Sequence, residues 1–299
     1  MNLSTPSAHY TDPQDFPGLD VYAVVGNPIE HSKSPTIHRC FAEQAEQKMY
    51  YGRIQPELDG FVKAVNDFFA SRGRGLNVTV PFKLEAYALA DIVTPRAQLA
   101  GAVNTLWVQD GTIFGDNTDG AGLVRDLLAQ GVALHGARIL LLGAGGASRG
   151  VLAPLLEQKP ASVMLANRSH VKALELVELF RQKALLEKVA LTAGTLSALE
   201  DQAVAPFDVV INATASGLSD QSPLTQTMAS RIFVPSSFAY DMVYGKTTPF
   251  MQQAIQKGAR VSDGLGMLVE QAADAFLIWR GADLAQSIDP RQVLADLRR

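Results

Sequence analysis

Short apolar runs closed by turn residues alternate along the chain with longer stretches of helical spacing. Residues 21–25 (VYAVV) read as a strand, stopped by the turn cluster Gly26-Asn27-Pro28. Ser34 and Pro35 then stand as N-cap and first residue of a helix reaching about Gln47. Residues 50–54 form a second strand. Leu58, Phe61, Val62, Val65, Phe68 and Phe69 recur at helical spacing, and Gly73 and Gly75 close that helix. Residues 76–80 are a strand halted by Pro81, and 82–90 are helical. Residues 102–108 and 112–114 make a hairpin about Asp110-Gly111. A helix over 122–130 carries the chain into its second half. There 137–142, 161–166, 207–212, 238–244 and 260–261 read as strands, and 172–186, 249–256 and 267–279 as helices. Strands alternating with helices in both halves predict layered α/β units with mainly parallel sheets. In such sheets ligands sit beyond the carboxyl ends of the strands. Asn77, Thr79, Asn167, Asn212, Thr214 and Tyr244 all fall at or near predicted strand ends.

Length and composition narrow the picture without changing it. The 299 residues exceed one ordinary core and suit two domains. The first boundary falls in the polar loop at 115–120. A hydrophobic content of 47% and a charged content of 19% fit a soluble globular enzyme. The net charge of −4 gives no reason to expect nucleic acid or an anionic membrane as partner. No apolar run reaches the ~18 residues of a membrane span. The lone cysteine, Cys40, lies in an apolar helical pattern and reads as a packed core thiol; a single cysteine suits the cytoplasm. Residues 1–19 are polar and proline-rich and read as a loose tail. No pairing of His or Cys has metal-ligand spacing.

Candidate chemistry begins at the 137–142 strand. It runs into Gly143-Ala144-Gly145-Gly146-Ala147 and then a helix, the opening of a dinucleotide-binding unit. Glycines permit the tight turn and the approach of a pyrophosphate, and the helix N-terminus holds the anion. Ser148 stands where the usual spacing has a third glycine. The next strand ends at Asn167-Arg168-Ser169, with no acid for a ribose 2′-hydroxyl. An arginine there suits a 2′-phosphate, so the cofactor expected is NADP rather than NAD.

Four polar strings flank strand ends in the first half: residues 27–34, 77–83, 102–105 and 116–119. They supply hydroxyls, amides, a lysine and a carboxylate, the lining that a small polyhydroxylated carboxylate requires. Hydride transfer to a ketone also needs a proton donor at the new alkoxide, a task that a lysine near an aspartate could perform. Spacing alone leaves Lys83 an ordinary solvated helix residue and Asp119 a turn or cap.

Taken together these strings resemble the shikimate dehydrogenase family. The resemblance rests on Gly26-Asn27-Pro28, residues 31–35 (HSKSP), 77–83 (NVTVPFK), 101–105 (GAVNT), 116–120 (DNTDG), 143–147 (GAGGA), 167–169 (NRS), 212–214 (NAT), 240–244 (YDMVY) and 263–271 (DGLGMLVEQ), in family order from about residue 21 to the C-terminus. It implies an NADP-dependent, reversible reduction of 3-dehydroshikimate to shikimate in aromatic amino-acid biosynthesis. It makes Lys83 and Asp119 the catalytic pair. Ser32, Ser34, Asn77, Thr79, Asn104, Tyr244 and Gln271 line or adjoin the substrate site. For NADP it implies Gly143, Ala144, Gly145, Gly146, Ala147, Asn167, Arg168, Ser169, Lys172, Thr214, Met242 and Gly264. Where the family often has a second arginine after Asn167-Arg168, this chain has Lys172, which keeps the charge and loses the fork. The implied substrate domain is discontinuous, 20–120 plus 264–299, around a Rossmann-like NADP domain over 121–263. A monomer or homodimer is expected. Two rivals remain on the same scaffold. A quinate/shikimate dehydrogenase using NAD as well would carry an acid near Asn167. A non-catalytic NADPH sensor would lack Lys83 or Asp119.

Overall fold

The structure is a computed structural model that describes residues 10–299. They divide into two compact units, one running up to Thr118 and resuming over Val269–Arg299, the other spanning Asp119–Leu268.

The first unit follows the order β1 (Asp20–Val25), α1 (Ser34–Gln44), β2 (Met49–Ile54), α2 (Phe61–Ala70), β3 (Gly75–Val78), α3 (Lys83–Leu89), β4 (Ile92–Val93), α4 (Pro95–Ala100), β5 (Thr105–Gln109) and β6 (Thr112–Asp116). The sheet order is β2-β1-β3-β5-β6-β4. β1 runs parallel to β2 and β3, and β4 to β6, while β5 is antiparallel to both its neighbours. This sheet is therefore mixed, because the Asp110-Gly111 turn folds β6 straight back on β5. Both turn residues have positive φ, 51° and 78°, which matches the strand twist. β1 is apolar throughout because both its faces are covered. Val21, Ala23 and Val25 join a core with Phe61, Val65 and Phe68 of α2 and Phe82 before α3. Tyr22 and Val24 face a second cluster with Tyr51, and Trp279 packs against it.

Three expectations are corrected here. Residues 1–9 of the expected tail lie outside the described residues, but residues 10–19 are not loose. Thr11 Oγ1 donates to the Arg53 carbonyl at 3.0 Å and accepts from Arg53 N at 2.9 Å, which covers the outer edge of β2. Phe16 stacks on Tyr50 at 3.7 Å, and Pro13–Asp15 form a 3-10 turn. Ser34 is not the N-cap of α1. Lys33 holds that position, already in helical conformation and with no side-chain cap, so Ser34 is the first helical residue. Cys40 is half-buried, because Ile37 and Phe41 take the inward face of α1. β4 and α4 went unread: Ile92-Val93 is too short for a period, and Thr94 caps α4 just before Pro95.

The second unit follows the order α5 (Asp119–Ala129), β7 (Arg138–Leu142), α6 (Gly146–Glu157), β8 (Ser162–Asn167), α7 (His170–Glu187), β9 (Ala190–Thr195), β10 (Val209–Asn212), α8 (Gln226–Ile232), β11 (Phe238–Asp241), α9 (Pro249–Gln256) and β12 (Arg260–Asp263). α10 (Leu265–Arg280) begins in this unit and ends in the first, which α11 (Pro290–Leu297) completes. The strand order is β12-β11-β10-β7-β8-β9, all parallel. That order reverses between β7 and β10, the switch point at which such sheets bind ligands. Leu140, Leu142, Val210 and Ala239 share a core with Met228 and Ile232 of α8 and Phe250 and Ala254 of α9. Among the described residues no helix is long and apolar enough to cross a membrane.

Candidate active site

In the first unit the polar strings named above converge on Asn104, which is 2% exposed. Its position follows from two strand ends. Val78 N donates to the Asn104 carbonyl at 2.8 Å, and Asn104 N to the Asp116 carbonyl at 3.0 Å. The Asn104 side chain accepts from Thr118 N and from Thr105 Oγ1, each at 2.9 Å. Its Nδ2 donates to Thr118 Oγ1 at 2.9 Å and to Gln271 Oε1 at 3.0 Å. Gln271 reaches this cluster from α10, across 167 residues of sequence. Lys83 opens α3, and its carbonyl accepts from Val103 N at 2.9 Å, which tethers it one residue from Asn104.

Asn77, in register with Thr105 across β3 and β5, lies behind Asn104. Its Nδ2 donates to the Asn104 carbonyl and to Thr105 Oγ1, both at 3.3 Å. Its Oδ1 meets His38 Nε2 at 3.1 Å and accepts from the Tyr51 hydroxyl at 2.7 Å. Ser34 is buried at the start of α1. Burial holds the His38 imidazole down at about 3, opposed by its bond to Asn77, and pushes the Tyr51 phenol well above its usual range. Both groups therefore stay neutral through the working range of pH. Ser32 accepts from Ser34 N at 3.3 Å, and its carbonyl takes 2.7 Å from an Arg53 amino group. Thr79 is half-buried, its N–H bonded to Val25, and has no contact with the Asn104 cluster among the bonds described.

In the second unit the carboxyl ends of β7, β10 and β11 are in register, at Leu142, Asn212 and Asp241. Gly143 leaves β7 with φ 104°, a conformation that L side chains rarely adopt, and a Cβ there would press on Thr214 and the Ala213 carbonyl. Ser148, in the place of a third glycine, donates to the Gly143 carbonyl at 2.8 Å and so closes the loop by a bond instead. Gly145 is the N-cap of α6, has no capping side chain, and would have nothing within 4 Å of a Cβ. The first-turn N–H groups of α6, which no helix satisfies internally, follow directly on this uncrowded glycine. This arrangement fits a pyrophosphate. Ala144 and Ala147 flank the turn, both half-buried.

The remaining cofactor candidates sit on neighbouring strand ends. Asn167 Nδ2 donates to the Ser169 carbonyl at 2.9 Å and shapes the turn in which Arg168, Ser169 and Lys172 are exposed. Asn212 donates to Asp241 at 3.1 Å, so its oxygen is left to hold Thr214 through N at 3.1 Å and Oγ1 at 2.7 Å. Met242 N bonds the Asn212 carbonyl, and a Cβ on Gly264 would collide with the Met242 backbone. Asp119, the first residue of α5, is 4% exposed, and Tyr244 is half-buried beyond β11. The structure thus joins Asn77, Asn104 and Gln271 in one network. It also adds His38, Tyr51, Thr105 and Thr118, which the sequence reading missed. A histidine in an apolar helical pattern carries no signal of its own; Thr105 and Thr118 lay inside strings already singled out.

Residues 24–106 match the family described as Shikimate dehydrogenase substrate binding domain, and residues 126–235 the family described as Shikimate / quinate 5-dehydrogenase. A relative named Shikimate dehydrogenase (NADP(+)), from Janthinobacterium sp. (strain Marseille), is 53% identical over 263 residues, covering 87% of this chain and 92% of its own length. Another of that name, from Methylobacillus flagellatus, is 55% identical over 265 residues, covering 88% and 94%. The crystal structure of shikimate 5-dehydrogenase from Thermus thermophilus, in complex with NADP(H) and shikimate, is similar with a TM-score of 0.78 at 34% identity, covering 94% of this chain and 99% of its own.

Proposed function

The chain belongs to the shikimate dehydrogenase family, and from that premise we propose that it catalyses the NADP-dependent, reversible reduction of 3-dehydroshikimate to shikimate. The observation that carries this reading is the neutral, donor-rich cluster around Asn104 and Gln271, tethered next to Lys83. Many neutral hydrogen bonders with few charges suit a polyhydroxylated ring better than a nucleotide or a peptide. The glycine loop before α6 and Arg168 beyond β8 would hold NADP by its pyrophosphate and 2′-phosphate.

Bound NADPH supplies the hydride, and NADP+ takes it back in the reverse direction. The residues of this chain then have three tasks. Ser32 and Ser34 meet the substrate carboxylate with hydroxyl donors. Asn104 and Gln271 orient the ring hydroxyls, and Thr79 and Tyr244 complete the lining. Lys83 and Asp119 form one unit that delivers a proton to the carbonyl oxygen as the hydride arrives, and recovers it in reverse.

The test is the absorbance of NADPH at catalytic enzyme concentration with 3-dehydroshikimate, and of NADP or NAD with shikimate and quinate. Shikimate with NADP is expected to be the fastest oxidation. Lys83→Ala should lower turnover by about 10²–10⁴-fold while NADP binding survives. Lys83→Ala/Asp119→Asn should be much less damaging than the product of the single losses. Full additivity would separate the two residues, and near-normal turnover of Lys83→Ala would remove the lysine from the chemistry. Quinate oxidised with NAD in place of shikimate with NADP would reassign the substrate.

A further inference from the structure

Two backbone groups fix the direction of every hydrogen bond in the network behind Asn104. Thr118 N–H can only donate, and it meets the Asn104 side chain at 2.9 Å, so the atom it meets is the amide oxygen. The Asn104 carbonyl can only accept, and Asn77 meets it at 3.3 Å, so the amide nitrogen of Asn77 faces it. Asn77 Oδ1 then faces His38 and Tyr51, and an amide oxygen needs a donor from each. His38 must therefore carry its proton on Nε2, and Tyr51 commits its only proton to Asn77. All four hydrogen-bonding positions of the Asn77 amide are thereby filled, two as acceptor and two as donor.

The tautomer has a cost that calls for a role. His38 is fully buried, and its Nδ1, left bare, has no hydrogen-bond partner. An unpaired buried polar atom destabilises a fold. The ring lies parallel to Tyr51 at 4.1 Å and edge-on to Phe41, contacts that a phenylalanine would keep without the unpaired nitrogen. What phenylalanine lacks is the Nε2–H.

We propose that His38 is a positioning residue of the substrate site: together with Tyr51 it locks the Asn77 amide, which holds the Asn104 carbonyl and Thr105, and so sets the direction in which the Asn104 side chain points. Asn77 belongs to this support and does not touch substrate. The proposal rests on the dehydrogenase reading given above. The order of dependence is fixed. Asn77 holds Thr105 Oγ1 as an acceptor, so the Thr105 hydroxyl proton is free to go to Asn104 Oδ1, and it does so at 2.9 Å. A flipped Asn77 would present its oxygen to both the Asn104 carbonyl and Thr105. The first contact would be repulsive, and the second would draw the Thr105 proton away from Asn104.

The experiment compares His38→Phe, Tyr51→Phe, the double variant and His38→Gln in the shikimate/NADP assay, with thermal unfolding of each. Either single phenylalanine leaves Asn77 one donor, so each should raise KM for shikimate roughly two- to tenfold. The double variant should raise it by more than the product of the two, because only then is the amide free to turn. His38→Gln, whose amide can donate from the place of Nε2, should stay within about twofold of wild type. KM for NADP should not move in any of them, and His38→Phe should unfold no earlier than wild type. An unchanged KM for shikimate in the double variant, a His38→Gln no better than His38→Phe, or a parallel rise in KM for NADP would each overturn the assignment. If the double variant does not fold, long-range proton–nitrogen NMR of wild-type His38 decides: a protonated Nδ1 overturns it, and a bare Nδ1 supports it. A wild-type enzyme inactive on shikimate would sink the dehydrogenase reading alone, and the same spectrum would still read the tautomer.

Discussion

Arg168 stands exposed in the turn after β8, shaped by the bond from Asn167 to the Ser169 carbonyl. Nothing in that turn offers a carboxylate to a ribose hydroxyl. Arg168→Asp is expected to weaken NADP by roughly 10- to 150-fold, the worth of a charge-assisted contact, and to narrow the discrimination against NAD. An unchanged NADP/NAD ratio of kcat/KM would reduce the arginine to a surface residue. His38 gives a second expectation at this scale. Its folded value of about 3 lies below the ordinary 6.5, so the unfolded chain binds a proton that the folded one refuses. Stability attached to this residue is present above 6.5 and is lost as pH falls toward 3. Between pH 7 and pH 5 the loss is about 2 kcal/mol. Urea titrations of wild type and His38→Gln at both pH values should show it as a steeper fall in wild type. Equal falls would mean that His38 is protonated in the fold. Neither His38 nor Tyr51 was legible in the sequence, because their role depends on partners 39 and 26 residues away in the chain. Arg168 was singled out by its place at the end of the strand after the glycine loop, whereas Lys83, Asn104 and Asp119 took their roles only from the family resemblance of the polar strings that hold them.

The start of α1 shows where reading by element succeeds and where it slips. A serine before a proline announces a helix, and a helix begins there. Which serine does the capping depends on one dihedral pair that no sequence pattern reports. Lys33 is already helical, so the hydroxyl that accepts a backbone N–H is that of Ser32, toward Ser34. Ser32→Ala should therefore lower unfolding stability by about 0.5–1 kcal/mol as well as weaken shikimate. Ser32→Asp keeps the acceptor but sets an anion against the substrate carboxylate. It should hold the melting temperature and raise KM steeply. A normal KM in Ser32→Asp would place Ser32 away from the carboxylate. The all-parallel sheet of the second unit was largely legible, since buried strands read as continuous apolar runs. β9 was not. It is an edge strand whose residues 190–195 are largely polar or small, and half-exposed in alternation.

At the scale of the molecule, residues 119–268 are contiguous and contain a complete parallel sheet with its own core. Expressed alone, this segment should give a cooperative thermal transition and bind NADPH. The stretch that ends at Thr118 should do neither, since it lacks the α10 residues that complete its unit. Trp279 donates to the Leu106 carbonyl at 3.2 Å, Phe276 packs beside Phe41, and Arg280 binds Asp20 across 260 positions. A cooperative transition in the isolated 10–118 fragment would show those contacts to be dispensable.

This interleaving has a consequence for how the protein emerges from the ribosome. Domains usually fold in the order in which they are made, at about 5–20 residues per second. Here the first unit to be started is the last to be finished. After Thr118 has been made, β1, with its apolar faces, must wait roughly eight to thirty seconds for Trp279 and Arg280 to be made. The second unit can close in the meantime. The half-made substrate unit is thus the long-lived exposed species in the life of a new chain, and the one that a chaperone would meet.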